Sequence, residues 1–319
     1  MAQATGAMDT YEVSANREDL SDIIYDISPE ETIFVSSIGK RSVSSTKFEW
    51  QVEDLPAIST TAIREGDVVD VDNPNNSVRR SNMCQILRRS ASVTGTQQAV
   101  NRAGVSDSHA HATAVLARAM KRDVESVLLL NQASNESSAD ASTARLTAGM
   151  GACIMTNVDK ASDGSNPTAF GTDARNDGTA RTLNETILKS TLKLAYDNAN
   201  DQPNMIIVDS ANKQIISGFA GRASATSVVA LPGKGDEVQA SVAVYIGDFG
   251  TYNVHTSRHV RASDGWIINP EYAKVAQLRP YELKELDQLA DSKASFLIWE
   301  GGLQVDNEKA HALMADLGA

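Results

Sequence analysis

Apolar and polar residues alternate strictly over residues 47–53. Phe48, Trp50 and Val52 point one way and Lys47, Glu49, Gln51 and Glu53 the other, which predicts a half-buried strand. Residues 107–131 switch to helical spacing. Ala112, Val115, Ala119, Val124, Val127 and Leu128 form one stripe, widened by Leu116 and Met120, and Arg118, Lys121, Arg122 and Glu125 line the opposite side. About 25 residues at a rise of about 1.5 Å predict a rod of roughly 37 Å, about twice the mean globular helix. Upstream, residues 16–27 predict a short helix capped by Asn16. Ser28-Pro29-Glu30-Glu31 then reads as a capping box opening a second helix, with Ile33, Phe34 and Ile38 as its stripe and Gly39 as its end.

Between residues 55 and 81 the apolar pattern lapses. Pro56, Gly66 and Pro74 interrupt it, and Glu65, Asp67, Asp70 and Asp72 make it acidic. A loop this long inside a domain is an excursion with its own purpose. Residues 83–100 return as strand-like sequence carrying Arg88-Arg89. Further on, Thr182-Leu183-Asn184-Glu185 reads as a capping box for a helix reaching residue 200. A strand over 205–208 and a helix over 210–219 make this section α/β. Strands over 241–246 and 252–260 flank the turn Gly247-Asp248-Phe249-Gly250, and Asp264-Gly265 is a hairpin signal before Trp266-Ile267-Ile268. Strands are also predicted over 272–278 and 294–299, a short extended piece over 303–305, and a closing helix over 308–317. Polar stretches at 1–15, 132–144, 157–181 and 221–240 read as an arm, two linkers and a loop. There is no internal repeat.

Charge narrows the function classes. With 29 Lys plus Arg against 41 Asp plus Glu, the net charge of the 319 residues is −12. That balance argues against a task of gripping nucleic acid, which needs Lys and Arg against phosphate. Aromatics make up only 5%, so the core is built from small side chains. No apolar run approaches the roughly 18 residues of a membrane helix, and the first residues have neither a basic nor an apolar signal region. Cys84 and Cys153 form no CxxC pair. One disulfide is possible, and two cytosolic thiols is the simpler reading.

Candidate chemistry finds no foothold. Gly149-Met150-Gly151 lacks the third glycine of a dinucleotide fingerprint, with Ile154 in its place. Asp70-Val71-Asp72 fails as a calcium loop, because Asn75 and Ser81 stand where Gly and Glu are needed. His109 and His111 sit two apart, and His255 and His259 share one face of a predicted strand, but neither pair has partners to complete a metal site. No nucleophile elbow or phosphate loop is present. A non-enzyme without cofactor or metal is therefore expected. Two charged features remain: the acidic excursion, followed by Arg79, Arg80, Arg88 and Arg89, and the basic-sided helix after it. Surface charges are usually solvated faces. The sharper reading is that Glu65, Asp67, Asp70 and Asp72 meet Arg118, Lys121 and Arg122 across copies of the same protein.

The pieces in this order resemble a family, the major capsid proteins of tailed bacteriophages with the Hong Kong 97-type fold. The resemblance rests first on Ile27-Ser28-Pro29-Glu30-Glu31-Thr32-Ile33-Phe34-Val35-Ser36-Ser37-Ile38-Gly39. Glu49-Trp50-Gln51 and Gly95-Thr96-Gln97-Gln98-Ala99-Val100 follow. Near the C-terminus it rests on Tyr245, Asp248-Phe249-Gly250, Leu278-Arg279-Pro280, Glu300, Leu303, Val305 and Asn307-Glu308-Lys309-Ala310-His311.

The resemblance implies an α+β fold in five parts: an N-terminal arm (1–40), an extended loop with flanking strands (41–100), a peripheral domain with a long spine helix (101–144), an axial domain (145–277), and a return to the peripheral domain (278–319). It implies a structural subunit that self-assembles as hexamers and pentamers into an icosahedral head around double-stranded DNA, without binding that DNA specifically. The implied place is the virion capsid, assembled in the host bacterial cytoplasm. The implied partners are portal and scaffolding proteins and, in some members, a decoration protein; no membrane is involved. Without a long fused N-terminal segment, a separate scaffolding protein is expected. No lysine lies between Lys47 and Lys121, so the loop lacks the nucleophile of the isopeptide cross-link some members form. The alternatives are an encapsulin-like compartment enclosing a cargo enzyme and a cytosolic α/β enzyme with an unrecognised site. An extended arm and loop also predict an accessible surface well above the roughly 13,000 Å² of a compact monomer of this mass.

Overall fold

The computed structural model describes residues 32–53, 58, 60–68, 77–100, 107–136, 143–198, 201–219, 244–287 and 290–318. The arm over 1–15, the helix over 16–27, the capping box at 28–31 and the loop over 221–240 lie outside them. In chain order the elements are α1 (Ile33–Ser37), β1 (Gly39–Ser42), β2 (Lys47–Val52), β3 (Val78–Met83), β4 (Gln85–Thr94), α2 (Gly95–Ala99), α3 (Ser108–Leu129), α4 (Met150–Cys153) and β5 (Val158–Asp159). Then come α5 (Glu185–Asn198), β6 (Met205–Val208), α6 (Ser210–Ser217), β7 (Val244–Gly247), β8 (Gly250–Thr256), β9 (Gly265–Ile268), β10 (Ala273–Glu285), β11 (Ser292–Val305) and β12 (Ala312–Met314).

The strands form three sheets: β1-β10-β11-β4, β5-β12-β9-β6-β8-β7, and the pair β2-β3. One apolar cluster joins the two larger sheets. It holds Phe34 of α1, Met120, Val124 and Leu128 of α3, Val275 and Trp299 of the four-stranded sheet, and Trp266, Ile268 and Leu313 of the six-stranded one. A second cluster packs Leu188 and Leu192 of α5 and Ile216 of α6 on the other face of the six-stranded sheet, against Ile206, Tyr252 and Met314. A third, small cluster of Phe48, Trp50, Cys84 and Ala276 sits under β2. The accessible surface is 19881 Å², above the roughly 13,000 Å² of a compact monomer of this mass.

The alternation over 47–53 forms β2 as expected, with Phe48 and Trp50 buried and their charged neighbours exposed. Helix α3 has 22 residues and is capped by Asp107, whose side chain accepts from the amide of Ala110. Its sidedness departs from the sequence pattern at two positions. Val115 is 41% exposed, and Glu125, grouped by periodicity with the solvated side, is 0% exposed. Burial of Glu125 is possible because α1 brings two backbone amides to its carboxylate.

Four further expectations are corrected. The closing helix over 308–317 is instead a 3-10 turn, Glu308–Ala310, followed by β12, which lies between β5 and β9 with every residue buried. A short apolar run fits either period, and here strand pairing on both sides decides. Asp264-Gly265 is not a hairpin turn, because β6 lies between β8 and β9; Asp264 is buried against Arg175. The helix after residue 182 starts two residues late: Asn184 Oδ1, not Thr182, accepts from the amide of Ile187. The strand-like reading of 83–100 ends at Thr94, whose hydroxyl caps the short α2.

The three C-terminal strand fragments are two long strands. β10 passes through Pro280 with register shifts around it, where a proline costs no ladder bond, and β11 passes through Gly301 and Gly302. The segment 278–319 divides between the sheets: β11 lies in the four-stranded sheet and β12 in the six-stranded one.

Candidate functional site

Catalytic chemistry has little to work with among the described residues. Ser295 Oγ and His109 Nε2 lie 3.0 Å apart, but Ser295 is 1% exposed. Among the described residues no carboxylate is hydrogen-bonded to that imidazole. Burial pushes the Cys84 thiol up to about 11 and that of Cys153 up to about 12, which suppresses the thiolate a nucleophile needs. His255 lies on β8, and His259 lies beyond the end of that strand, so the expected shared face does not exist. No group of three or more His, Cys, Asp or Glu among the described residues is placed to hold a metal ion. No helix among them is long and apolar enough to cross a membrane.

The feature that stands out is the excursion between β2 and β3. The two strands pair antiparallel from Lys47 opposite Met83 to Val52 opposite Val78, so the chain leaves along one and returns along the other. The base is rigidly built. Phe48 stacks on Trp50 with centroids 5.8 Å apart, and Phe170 meets Trp50 edge-on at 5.8 Å. The guanidinium of Arg80 lies 4.7 Å from the centroid of Phe170.

Asn82, buried, saturates its amide at the base of the pair. It donates to the carbonyls of Ala148 and Leu303 and accepts from the amides of Met83 and Ala148. Gly302 lets the strands approach. A Cβ there would lie 2.5 Å from the Met83 carbonyl oxygen and 2.6 Å from Thr147 Oγ1.

Beyond that base the described residues of the excursion form no core of their own. Ile58, Ile63 and Val68 are 94%, 81% and 87% exposed. Of the four candidate carboxylates, Glu65 and Asp67 are exposed on either side of Gly66, whose φ of 83° makes the turn. Asp70 and Asp72 lie outside the described residues. On α3, Arg118 and Lys121 are exposed and Arg122 is half-buried, and Arg118 and Arg122 already interact within the chain. On another face of the same helix, Asp123 takes a bidentate pair from Arg89 of β4 at 2.7 and 2.8 Å.

Sequence reasoning missed the buried charge networks. Glu300, nearly buried, binds Arg145 at 2.6 Å and Arg279 at 2.7 Å, tying β11 to β10 and to the chain before α4. Arg175 and Asp264, both fully buried, pair at 2.7 Å, and Asp177 bridges Arg175 and Arg261. Desolvation works against ionisation of Asp177, but the two guanidiniums outweigh it and hold its carboxyl below the usual range. The sequence signals were Leu278-Arg279-Pro280 and Glu300, which mark both residues without pairing them.

Comparison with known proteins places these features. The family model described as SU10 major capsid protein matches residues 5–318. A major capsid protein of Escherichia phage Phieco32 is 30% identical over 132 residues, 41% of this chain and 38% of that protein. The match therefore spans well under two thirds of the relative's length. Among solved structures, one of Gordonia phage Cozz superposes with a TM-score of 0.63 at 13% identity, covering 99% of this chain and 97% of that one. The Cyanophage A-1(L) capsid asymmetric unit gives a TM-score of 0.66 at 12% identity over 97% and 98%. The capsid of a native GTA particle gives 0.62 at 12% identity over the whole of both chains. At such identities the likeness speaks for the fold, and the fold is the Hong Kong 97-type one.

Proposed function

The chain belongs to the SU10 major capsid protein family, and from that premise we propose that it is the structural subunit of an icosahedral tailed-phage head. In this reading it self-assembles as hexamers and pentamers around double-stranded DNA and performs no catalysis. The observation that carries the reading is the excursion, whose base is packed and hydrogen-bonded to the body and whose described residues Ile58, Ile63 and Val68 are exposed. Apolar side chains held away from their own core are stabilised only when another surface covers them. In a closed assembly of identical chains that surface belongs to a neighbouring copy.

The five-part division follows the same reading: arm 1–40, extended loop 41–100, peripheral domain 101–144 and 278–319, and axial domain 145–277. The four-stranded sheet with α3 supports the peripheral assignment and the six-stranded sheet with α5 and α6 the axial one, except that β12, within 278–319, lies in the six-stranded sheet. Glu65, Asp67, Asp70 and Asp72 are then contact candidates for Arg118, Lys121 and Arg122 of an adjacent subunit. A net charge of −12 suits a container that must hold DNA without adhering to it. Portal and scaffolding proteins are the expected partners, in some members with a decoration protein, and assembly takes place in the bacterial cytoplasm. The family match gives no support to the enzyme or encapsulin-like alternatives.

Expression of the chain with and without a scaffolding protein, followed by electron microscopy, tests the proposal. Uniform closed shells support it. Enzyme-filled shells, or only soluble monomers under every condition, overturn it.

A further inference from the structure

Helix α1 is too short to stand alone. It has five residues, far below the roughly 12–15 an isolated helix needs in water, and Thr32 at its N-cap makes no capping bond through its side chain. The amides a side-chain cap would satisfy are those of the second and third helical positions. Here they are Phe34 and Val35, and both donate to the carboxylate of Glu125 on α3, at 2.9 Å and 2.8 Å. The cap thus comes from 91 residues away.

Dependence runs both ways. Glu125 is 0% exposed, and among the described residues no cation pairs with it. Without α1, its carboxylate would be buried with neither amide to bind it. Phe34, also 0% exposed, enters the cluster formed by Met120, Val124 and Trp299. The chain that follows is held lightly: every residue of β1 is exposed, among the described residues β1 pairs only with β10, at the edge of its sheet, and Arg41 adds one hydrogen bond to Gln304.

We propose that Glu125 and Phe34 form a latch that docks residues 32–42 onto the long helix, and that this segment opens and closes as a unit separate from the core. Open, the latch releases residues 32–42 while the two large sheets stay folded. Elements with few buried contacts open locally at a lower cost than global unfolding. Here those contacts are Phe34 and Ile38, the partly buried Ile33 and Val35, the Glu125 bonds, one hydrogen bond from Arg41 to Gln304 and one edge ladder. This inference stands apart from the shell reading and is tested without assembly.

Hydrogen exchange of the full chain, read by mass spectrometry in one common assembly state, tests it. In the parent, peptides covering residues 33–38 should exchange faster than those of the buried half of α3. Glu125→Ala and Phe34→Ala should each accelerate 33–38 by about tenfold or more, the scale of one lost charge-assisted hydrogen bond. Peptides from α5 and β6 should be unchanged. Glu125→Gln keeps an acceptor oxygen without the charge and should fall between the parent and Glu125→Ala. It also serves as the folded variant if the alanine protein is insoluble. Unchanged exchange at 33–38 in Glu125→Gln and Phe34→Ala would overturn the latch. Equal acceleration of 33–38, α3 and β10 would overturn its separability.

Discussion

Trp50 donates its indole N–H to the carbonyl oxygen of Val305 at 3.0 Å, joining the base of the excursion to the end of β11 across a sequence separation of 255. With Phe48 and Phe170 around the ring, this residue anchors the β2-β3 pair to the body of the subunit. Trp50→Phe removes the bond and keeps most of the ring, and should cost about 1 kcal/mol. Trp50→Ala removes both and should cost about 3–5 kcal/mol. Denaturant unfolding of the unassembled subunit measures each. An alanine variant as stable as the parent would show that the base is not part of the cooperative fold.

Gly302→Ala should be far more damaging than its size suggests. The added methyl would meet the Met83 carbonyl and Thr147 Oγ1, and backbone cannot move aside as a flexible side chain can. Overpacking of this kind costs about 1–3 kcal/mol. Gly66→Ala has open space around it and only a positive φ to contend with, so about 1 kcal/mol is expected there, confined to the loop. Thermal melting should show a lower Tm for the first substitution and little change for the second. Equal shifts would contradict the account of the strand crossing.

His311 makes stability depend on pH. Burial pushes its imidazole down from 6.5 to about 4, and its Nδ1 accepts from the amide of Asn269 at 3.3 Å. Between those two values the unfolded chain binds the proton and the folded chain does not. Stability is therefore fully present above pH 6.5 and is lost as pH falls towards 4, by up to about 3 kcal/mol. His311→Gln should flatten this part of the profile relative to the parent. Parallel pH profiles for the two proteins would remove His311 from the account.

Reversal of the loop charges tests the proposed subunit contact. Asp67, Asp70 and Asp72 changed together to Lys should impair assembly most at low salt, where screening is weakest. Single exposed pairs contribute only about 0–1 kcal/mol, but the contact repeats at every copy in the shell. Equal assembly yield of variant and parent at every salt concentration would leave these carboxylates with no role at the interface.

Local patterns in the sequence revealed local structure, and only the resemblance carried by the short motifs reached the family and the whole fold. The alternation through Phe48 and Trp50 and the Asp107-capped long helix were legible because one residue's environment is set there by its near neighbours. Glu125 was misread because its burial depends on amides 91 residues upstream, which no helical period encodes. β12 was misread for the same reason, since its partners β5 and β9 lie far back in the chain. Of the candidate contact residues, the sequence marked Glu65, Asp67, Arg118 and Lys121 by charge, and all four are exposed. The pairs Arg175–Asp264 and Arg279–Glu300 were invisible because a charge run gives no hint of which charges are buried together.

The most direct test of the shell reading is a cryo-electron-microscopy reconstruction of the particle this chain forms. Hexamers and pentamers should close an icosahedral shell, with Ile58, Ile63 and Val68 of each subunit buried against an adjacent copy. A shell in which these three side chains remain in solvent, or a chain that forms no shell, would contradict it.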